Sequence, residues 1–234
     1  MPEVTVGSTT GYLAVPAGPP PGPWPGIVVI HESWGLNADI RAQADRLAVG
    51  GYLALAPDLY YGRSFLRCVR TVFRQLHTGS GPAFDVIEAA RAALAARPDG
   101  TGKTGVIGFC MGGGFALLCA PRDGFSAASV NYGEVPADAE RVLAGSCPVV
   151  ASFGGRDPMG AKPPQRLEAA LTALGVPHDV KVYPEAGHSF MSTKPAALAP
   201  LTRLVRLDYQ PDSAQDSWRR IFAFFGDHLQ PGSV

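Results

Sequence analysis

The chain has 234 residues, of which 46% are hydrophobic, and its 20 basic side chains balance 20 acidic ones. This balance excludes a protein whose net charge attracts nucleic acid or an anionic membrane surface, so we expect neither as a partner. The length suits a single α/β domain over residues 1–234. No apolar run reaches the roughly 18 residues of a membrane helix, and residues 1–11 lack a secretion signal, which predicts a cytoplasmic protein.

Predicted strands and helices alternate along the chain. Apolar and β-branched runs predict strands at 11–15 (an edge strand), 26–30, 52–56, 105–109, 127–131, 148–153 and 178–183. Helical spacing and end signals predict helices at 38–49, 64–77, 83–96, 115–120 and 164–174, and a last helix with an apolar stripe from 218 to 229. This alternation predicts an α/β fold, a three-layer sandwich in which helices flank a mostly parallel central sheet.

The most distinctive stretch is the apolar strand that ends at Phe109 and continues into Cys110 and Met111. It has the pattern of a nucleophile elbow, where the residue at a strained turn needs nearly side-chain-free neighbours two positions before and after it. Gly108 and Gly112 occupy those positions. The central residue is usually serine and is Cys110 here. A deprotonated thiol can carry out the same acyl chemistry.

Two further polar residues, Asp157 and His188, each come shortly after a predicted strand. The order nucleophile, acid, histidine is the one used by the α/β-hydrolase arrangement. We therefore predict that His188 exchanges a proton with Cys110 while Asp157 fixes the tautomer of the ring. Asp58 and Asp123 also lie near strand ends or turns and remain alternatives for the acid.

Each of these three residues has an ordinary structural interpretation when taken alone. Cys110 could be a buried thiol near a tight turn, Asp157 a turn former and His188 a surface loop residue. Their joint occurrence at three strand ends favours catalysis. The alternative from another class is a non-catalytic protein that uses Cys110 as a redox-sensing thiol.

The other cysteines give no sign of a disulfide or a metal site. Cys68, Cys119 and Cys147 form no Cys-x-x-Cys pair and no Cys/His cluster. Cys119 and Cys147 are expected to be small buried hydrophobic residues. The Gly-Lys-Thr at 102–104 lacks the first glycine of a phosphate-binding loop, because residue 97 is arginine. We therefore expect no metal and no cofactor.

Four motifs spread over most of the chain carry a family resemblance: IHESWGLN at 30–37, GYLALAPDLY at 51–60, GFCMGG at 108–113 and EAGHSF at 185–190. Together they resemble the dienelactone hydrolases, also called carboxymethylenebutenolidases, within the α/β-hydrolase fold. The resemblance implies a hydrolase of lactones or activated esters, with a small molecule as its substrate. It also implies that Cys110 is the nucleophile, His188 the base and Asp157 its orienting acid.

The resemblance gives Glu32 a role as well, in which it lies against the thiol and helps to generate the thiolate when the substrate arrives. A carboxylate at the apolar end of a strand holds a proton readily, which suits a proton acceptor, whereas the alternative for Glu32 is an ordinary salt bridge. The oxyanion hole is predicted at the backbone N–H groups of Met111, beside the nucleophile, and Ser33, in the loop after an early strand. The helix N-terminus behind Met111 adds partial positive charge.

The best-known substrate of the family carries a free carboxylate held by two arginines, and this chain matches that pattern only in part. Arg67 falls at one expected position as a substrate-binding residue, or it belongs to a solvated helix face. Ser192 occupies the second position, with Lys194 two residues further on. The alternative is therefore a hydrolase of neutral esters or thioesters with the same machinery. The oligomeric state stays open between a monomer and a small homo-oligomer.

Overall fold

The computed structural model describes residues 3–18, 22–63, 65–158, 162–193 and 209–230. The strands are β1 (Glu3–Val6), β2 (Thr9–Ala14), β3 (Trp24–Ile30), β4 (Leu53–Pro57), β5 (Gly100–Phe109), β6 (Ala127–Asn131), β7 (Val149–Gly154) and β8 (His178–Tyr183). The helices are α1 (Ala38–Val49), α2 (Phe65–Thr78), α3 (Pro82–Ala95), α4 (Met111–Cys119), α5 (Ala139–Val142), α6 (Lys162–Ala173) and α7 (Pro211–Leu229). Lys194 and the predicted first residue of the second helix, residue 64, lie outside the described residues.

These strands form one eight-stranded sheet in the order β1-β2-β4-β3-β5-β6-β7-β8. The strands from β3 to β8 run parallel to one another, and β1 and β2 add an antiparallel edge. This confirms the predicted mostly parallel sheet. The strand order reverses at β3, between β4 and β5, and α/β proteins place their ligands beside such a switch point, at the carboxyl ends of the strands.

Helices cover both faces of the sheet, which confirms the three-layer prediction. On one face α1 and α7 pack with buried side chains such as Leu47 and Phe225. On the other face α3, α4 and α6 pack with side chains such as Leu94 and Phe115. The helix α2 contacts α3 and α4 and so lies outside them. Within the described ranges, no helix is long and apolar enough to cross a membrane.

Local sequence signals explain the elements that carry the site. The β-branched residues from Ile27 to Ile30 are fully buried at the centre of the sheet, as a parallel strand requires. Downstream of this strand, the Asn37 side chain accepts a hydrogen bond from the Ile40 N–H over 3.1 Å and so caps α1. The segment between these two features is therefore short and fixed at both ends.

The structure corrects the expected edge strand at 11–15. The short strand β1 pairs with the outer side of β2, where Val6 lies beside Thr9. β1 is therefore the edge strand, and β2 is the second strand of the sheet. β1 is only four residues long and turns at once through Gly7, which leaves little periodicity to detect.

The helix α4 begins at Met111, earlier than the predicted 115, because glycines at 112–114 let its backbone pack closely on neighbouring strands. The one-turn helix α5 was not predicted from the sequence.

Candidate active site

Cys110 lies at a strained turn between β5 and α4. Its backbone has a φ of 55° and a ψ of −117°, a conformation that a residue with a side chain rarely adopts. Its N–H donates to the Asn131 carbonyl over 3.0 Å, and its own carbonyl accepts from the Gly114 N–H over 3.2 Å. These two hydrogen bonds hold the strained turn in place. The side chain remains partly exposed.

Two glycines make this turn possible, as the sequence pattern indicated. A β-carbon at Gly108 would overlap the Gly112 carbonyl, and a β-carbon at Gly112 would overlap the carbonyl of Ile30 at the end of β3. The first glycine therefore allows the chain to reverse on itself. The second lets the start of α4 approach the loop after β3, where Glu32 and Ser33 lie.

His188 is paired with Asp157 at the same edge of the sheet. The Asp157 Oδ2 atom lies 2.7 Å from Nδ1 of His188, and both side chains are more than 90% buried. The two loops that carry them are joined by backbone hydrogen bonds, from the Gly155 N–H to the Tyr183 carbonyl over 2.7 Å and from the Arg156 N–H to the Ala186 carbonyl over 2.9 Å. The pairing is thus built into the connection between the ends of β7 and β8.

The environment of His188 favours its protonated form. Burial lowers the pKa of His188, but the hydrogen bonds to Asp157 and Cys110 outweigh it and raise the pKa from 6.5 to about 10. Asp157 accepts from Nδ1, which leaves Nε2 for the Cys110 sulfur. An imidazolium beside Cys110 favours the thiolate, so the structure brings a potential nucleophile and its proton carrier together.

Glu32 lies at the end of β3 and is 3% exposed. Its Oε1 atom accepts a hydrogen bond from the Ser192 hydroxyl over 2.7 Å and another from the Tyr132 hydroxyl over 3.3 Å. Both of these donors are uncharged hydroxyl groups. The carboxylate is held inside the same cluster of strand ends as Cys110.

His31, next to Glu32, fixes the backbone of this loop. Its Nε2 atom accepts from the Leu59 N–H over 3.1 Å, so Nδ1 carries the proton and donates to the Glu32 carbonyl over 2.7 Å. Burial lowers the pKa of His31, which keeps the ring in this neutral tautomer. His31 therefore ties the loop after β3 to the loop after β4.

Ser33 and Met111, the predicted oxyanion donors, both lie next to Cys110, Met111 as the following residue in the chain and Ser33 through its side chain. The Ser33 hydroxyl oxygen is 3.9 Å from the Cys110 sulfur. Met111 begins α4, so its N–H is one of the first four in the helix that have no intrahelical acceptor. The Tyr60 hydroxyl donates to the Ser33 carbonyl over 2.6 Å and lies 3.9 Å from the Met111 sulfur. Tyr60 therefore contacts both residues.

Arg67 lies on the exposed surface of α2. Its side chain is exposed on α2 and lines a cavity of about 350 Å³ whose described walls include Leu59, Arg63 and Cys68 but not Cys110. Its role in substrate binding remains a prediction.

The two alternative acids lie elsewhere. Asp58 accepts from the backbone N–H groups of Tyr60 and Gly62, over 2.8 Å and 2.7 Å, and so forms a turn. Asp123 is exposed after α4. Of the acids that the sequence offered as partners of His188, Asp157 is the one bonded to it.

The remaining cysteines are buried or half-buried and lie outside this cluster. Burial raises the pKa of Cys119 and of Cys147 to about 12, which makes both thiols poor nucleophiles. Among the residues that the structure describes, no group of three His, Cys, Asp or Glu side chains could hold a metal ion.

Sequence reasoning missed one member of the cluster, Tyr132, and gave Ser192 only as a missing arginine. Tyr132 is the first residue after β6, and its ring contacts His188 edge-on with the ring centroids 5.2 Å apart. A polar residue shortly after a predicted strand was the signal that singled out Asp157, and the same signal applies to Tyr132. Ser192 is fully buried against Glu32.

A mostly parallel eight-stranded sheet between two helical layers, with a strained elbow after β5 and a paired histidine after β8, defines an α/β-hydrolase. The sequence profile of the dienelactone hydrolase family matches residues 9–229 of the chain. The chain belongs to the dienelactone hydrolase family and is a hydrolase of ester or lactone bonds.

Individual relatives agree with this assignment. The carboxymethylenebutenolidase of Pseudomonas putida is 31% identical over 218 residues, which cover 87% of this chain and 91% of that protein. The crystal structure of a dienelactone hydrolase-like promiscuous phosphotriesterase from metagenomic libraries matches with a TM-score of 0.75 and 27% identity over 97% of each chain. The dienelactone hydrolase of Anabaena variabilis shares the fold, with a TM-score of 0.63 and 23% identity over 97% of this chain and 96% of that one.

Proposed function

We propose that this chain hydrolyses lactones and activated esters through a cysteinyl acyl-enzyme on Cys110. One observation carries the proposal. The Cys110 side chain at the strained elbow interacts with His188, and Asp157 lies 2.7 Å from Nδ1 of that histidine. A nucleophile, a proton carrier and an orienting carboxylate in this arrangement are the groups that acyl transfer needs.

In the first half of the reaction, the Cys110 thiolate attacks the acyl carbon and forms a carbon–sulfur bond. The carbonyl oxygen becomes an oxyanion that accepts hydrogen bonds from the backbone N–H groups of Met111 and Ser33. When the tetrahedral intermediate collapses, the bond to the leaving oxygen breaks and the His188 imidazolium gives that oxygen its proton. For a lactone, the leaving oxygen stays attached to the acyl group.

In the second half, water attacks the thioester carbon while neutral His188 takes one proton from the water. The second tetrahedral intermediate uses the same oxyanion donors. Its collapse breaks the carbon–sulfur bond and releases a carboxylic acid, which restores the Cys110 thiolate and the His188 imidazolium. Each step uses groups of this chain and one water molecule, and Asp157 keeps the ring oriented throughout.

Glu32 has a separate role in this proposal. When Cys110 carries its proton, a carboxylate at the end of β3 can accept it and so generate the thiolate. Its position among the strand ends and its 3% exposure support this role, because they place a carboxylate inside the same buried cluster as the thiol.

The choice of a thiol points to activated acyl groups as substrates. A thiolate attacks enol esters and thioesters well, since their leaving groups depart easily, but it is poorly suited to stable amides. We propose hydrolysis of lactones with an enol-type leaving group and of activated esters, and little peptidase activity.

A second candidate substrate class is the neutral ester or thioester. The observation that favours it is the placement of Ser192 and Arg67. Ser192 donates to Glu32 where a family arginine would lie, and Arg67 is exposed on α2. Both features argue against a site built for a substrate carboxylate. The phosphotriesterase relative is consistent with uncharged substrates in the family.

The experiment compares four substrates with the purified protein: a carboxylated lactone, its neutral analogue, an activated aryl ester and a stable amide. We expect hydrolysis of the first three and none of the amide. A higher kcat/KM for the neutral lactone selects the second candidate. Hydrolysis of the amide at a comparable rate would contradict the proposed substrate class, and rapid formation of a sulfenic acid on Cys110 without any hydrolysis would favour the redox-sensing alternative.

We further propose that residues 1–234 act as a single domain in the cytoplasm, as a monomer or small homo-oligomer, on small-molecule substrates.

A further inference from the structure

The carboxylate of Glu32 is held by two buried hydroxyl groups. Ser192, which is fully buried, donates to Glu32 Oε1 over 2.7 Å, and Tyr132, which is 3% exposed, donates to the same atom over 3.3 Å. The two hydroxyl oxygens are 3.1 Å apart. Three polar side chains from three separate segments thus meet in one buried cluster.

The distances indicate the direction of the hydrogen bonds. The Ser192 hydroxyl has one proton, and its shortest contact is with the Glu32 carboxylate, which is also the strongest acceptor. The Ser192 oxygen lies 3.1 Å from the Tyr132 hydroxyl, so the single Tyr132 proton is shared between the Glu32 carboxylate and the Ser192 oxygen. Burial and the Glu32 charge raise the pKa of Tyr132 well above its usual value, so Tyr132 keeps that proton at every pH of interest.

Tyr132 also contacts the other proton-carrying group of the site. Its ring meets the His188 ring edge-on at 5.2 Å, and the Phe190 ring packs on it at 5.4 Å. Its backbone has a φ of 41°, an uncommon conformation for tyrosine. Its N–H is fixed by a 2.7 Å hydrogen bond to the Ser152 carbonyl. Tyr132 therefore spans the space between Glu32 and His188.

Hydrogen bonds of the backbone at residues 191 to 193 hold the Ser192 hydroxyl in place. The Ser192 N–H donates to the Ser189 carbonyl over 2.9 Å, which forms a turn. The preceding carbonyl, of Met191, accepts from the Gln43 side chain over 3.1 Å, and the following N–H, of Thr193, donates to Asp39 over 2.8 Å. The hydroxyl that faces Glu32 is therefore preorganised.

We propose that Ser192 and Tyr132 are positioning residues that keep Glu32 as a carboxylate, ready to accept the Cys110 proton whether or not the substrate carries a charge. The proposal rests on the proposed function, since it assigns Glu32 the thiol proton. Hydrogen bonds to a carboxylate favour its ionised form, so the loss of either donor disfavours the carboxylate. An arginine at position 192 could be drawn away from Glu32 by a substrate carboxylate, whereas the uncharged hydroxyl groups of Ser192 and Tyr132 cannot.

The test is the pH dependence of Cys110 alkylation by iodoacetamide, followed on the Cys110 peptide by mass spectrometry between pH 5 and pH 9. It needs no substrate, so its failure is distinguishable from a failure of hydrolysis. We expect Ser192→Ala and Tyr132→Phe each to slow alkylation at neutral pH roughly tenfold. Each should also move the midpoint of the pH profile of alkylation to higher pH, because each removes a hydrogen-bond donor to the Glu32 carboxylate.

Matched controls come from hydroxyl groups away from the cluster. Ser217→Ala removes a buried serine hydroxyl on α7 that has no hydrogen-bond partner among the described residues, and Tyr12→Phe removes a tyrosine–carboxylate hydrogen bond of 2.6 Å to Asp45. Both variants should keep the wild-type profile. Ser192→Thr retains a hydroxyl and should restore most of the alkylation rate, which keeps the test informative if Ser192→Ala does not fold.

A double-mutant cycle decides whether the hydroxyls act through Glu32. Glu32→Gln alone should slow alkylation, and adding Ser192→Ala or Tyr132→Phe to it should cause no further change. The other titratable side chains around the cluster, namely Cys110, His31, Asp39 and His188, are present in all variants. Profiles of folded Ser192→Ala and Tyr132→Phe that coincide with the wild type would overturn the proposal, and so would a shift that persists in the Glu32→Gln background.

Discussion

The Tyr60 hydroxyl donates a 2.6 Å hydrogen bond to the Ser33 carbonyl and lies 3.9 Å from the Met111 sulfur. One side chain thus fixes the two peptide segments whose N–H groups we propose as oxyanion donors. Burial raises the pKa of Tyr60 well above its usual value, so the hydroxyl remains a donor throughout the pH range of the reaction. The geometry of the proposed oxyanion hole therefore depends on a residue that need not touch the substrate.

Tyr60→Phe should lower kcat on an activated ester about tenfold with little change in KM, because displaced oxyanion donors weaken binding of the transition state more than of the substrate. Steady-state kinetics on the purified variant measure both constants. Tyr61→Phe is the matched control, since the Tyr61 hydroxyl makes only a 3.3 Å contact with the exposed Pro82 carbonyl. Equal kcat values for the two variants would contradict the positioning role of Tyr60.

Gly108→Ala should destabilise the fold strongly, because its β-carbon would overlap the Gly112 carbonyl at the elbow. The loss of unfolding free energy should exceed about 3 kcal/mol, in line with severe overpacking. Gly226→Ala in α7 meets open space and should be neutral or stabilise the helix by up to about 1 kcal/mol. Urea unfolding of both variants measures the difference, and a mild effect at Gly108 would contradict the close contact.

The pairing of Asp157 and His188 predicts a pH-dependent contribution to stability. Burial lowers the pKa of His188, but its hydrogen bonds to Asp157 and Cys110 raise it from 6.5 to about 10, so the folded state binds the proton more tightly than the unfolded chain. The stabilisation is complete below pH 6.5 and disappears as the pH rises to about 10. The difference in unfolding free energy between wild type and Asp157→Asn should therefore shrink over this interval.

Denaturant unfolding at several pH values across that interval provides the measurement. The same Asp157→Asn variant should also lower kcat by about 10³-fold to 10⁴-fold, because the ring loses its tautomer and orientation. A stability difference that stays constant from neutral to alkaline pH would contradict a raised His188 pKa that depends on Asp157.

Arg67→Ala should have little effect on a carboxylated lactone. The side chain is exposed on α2 and faces a cavity that Cys110 does not line. An exposed charge contributes at most about 1 kcal/mol, so kcat/KM should fall less than about fivefold. A fall of a hundredfold on the carboxylated lactone, with the neutral analogue unaffected, would restore Arg67 as the residue that binds the substrate carboxylate.

Much of the fold could be predicted because its signals are local. The β-branched run of β3, the Asn37 cap of α1 and the glycines around Cys110 each specify their structure within a few residues. Cys110, Asp157 and His188 could be grouped because the carboxyl ends of parallel strands meet at one edge of the sheet. The structure brings these three side chains together.

The features that the sequence did not reveal depend on contacts between distant segments. Tyr132 looks like a core aromatic residue, and its contact with Glu32 spans 100 positions in the chain. Ser192 could be recognised only as the absence of an arginine, because its donation to Glu32 depends on a turn at Ser189 with a φ of 59°. Arg67 was placed on its helix, but the direction of its side chain depends on how α2 packs against α3 and α4.

The central claim is that Cys110 carries the acyl group. The most direct measurement mixes the protein with an activated aryl ester, quenches in acid within milliseconds to seconds, and determines the mass of the intact chain and of its Cys110 peptide. We predict one acyl group per chain on Cys110, accumulating further in His188→Ala, and a loss of at least about 10³-fold in turnover for Cys110→Ala. Turnover without any acyl group on Cys110, together with an unimpaired Cys110→Ala variant, would contradict the account.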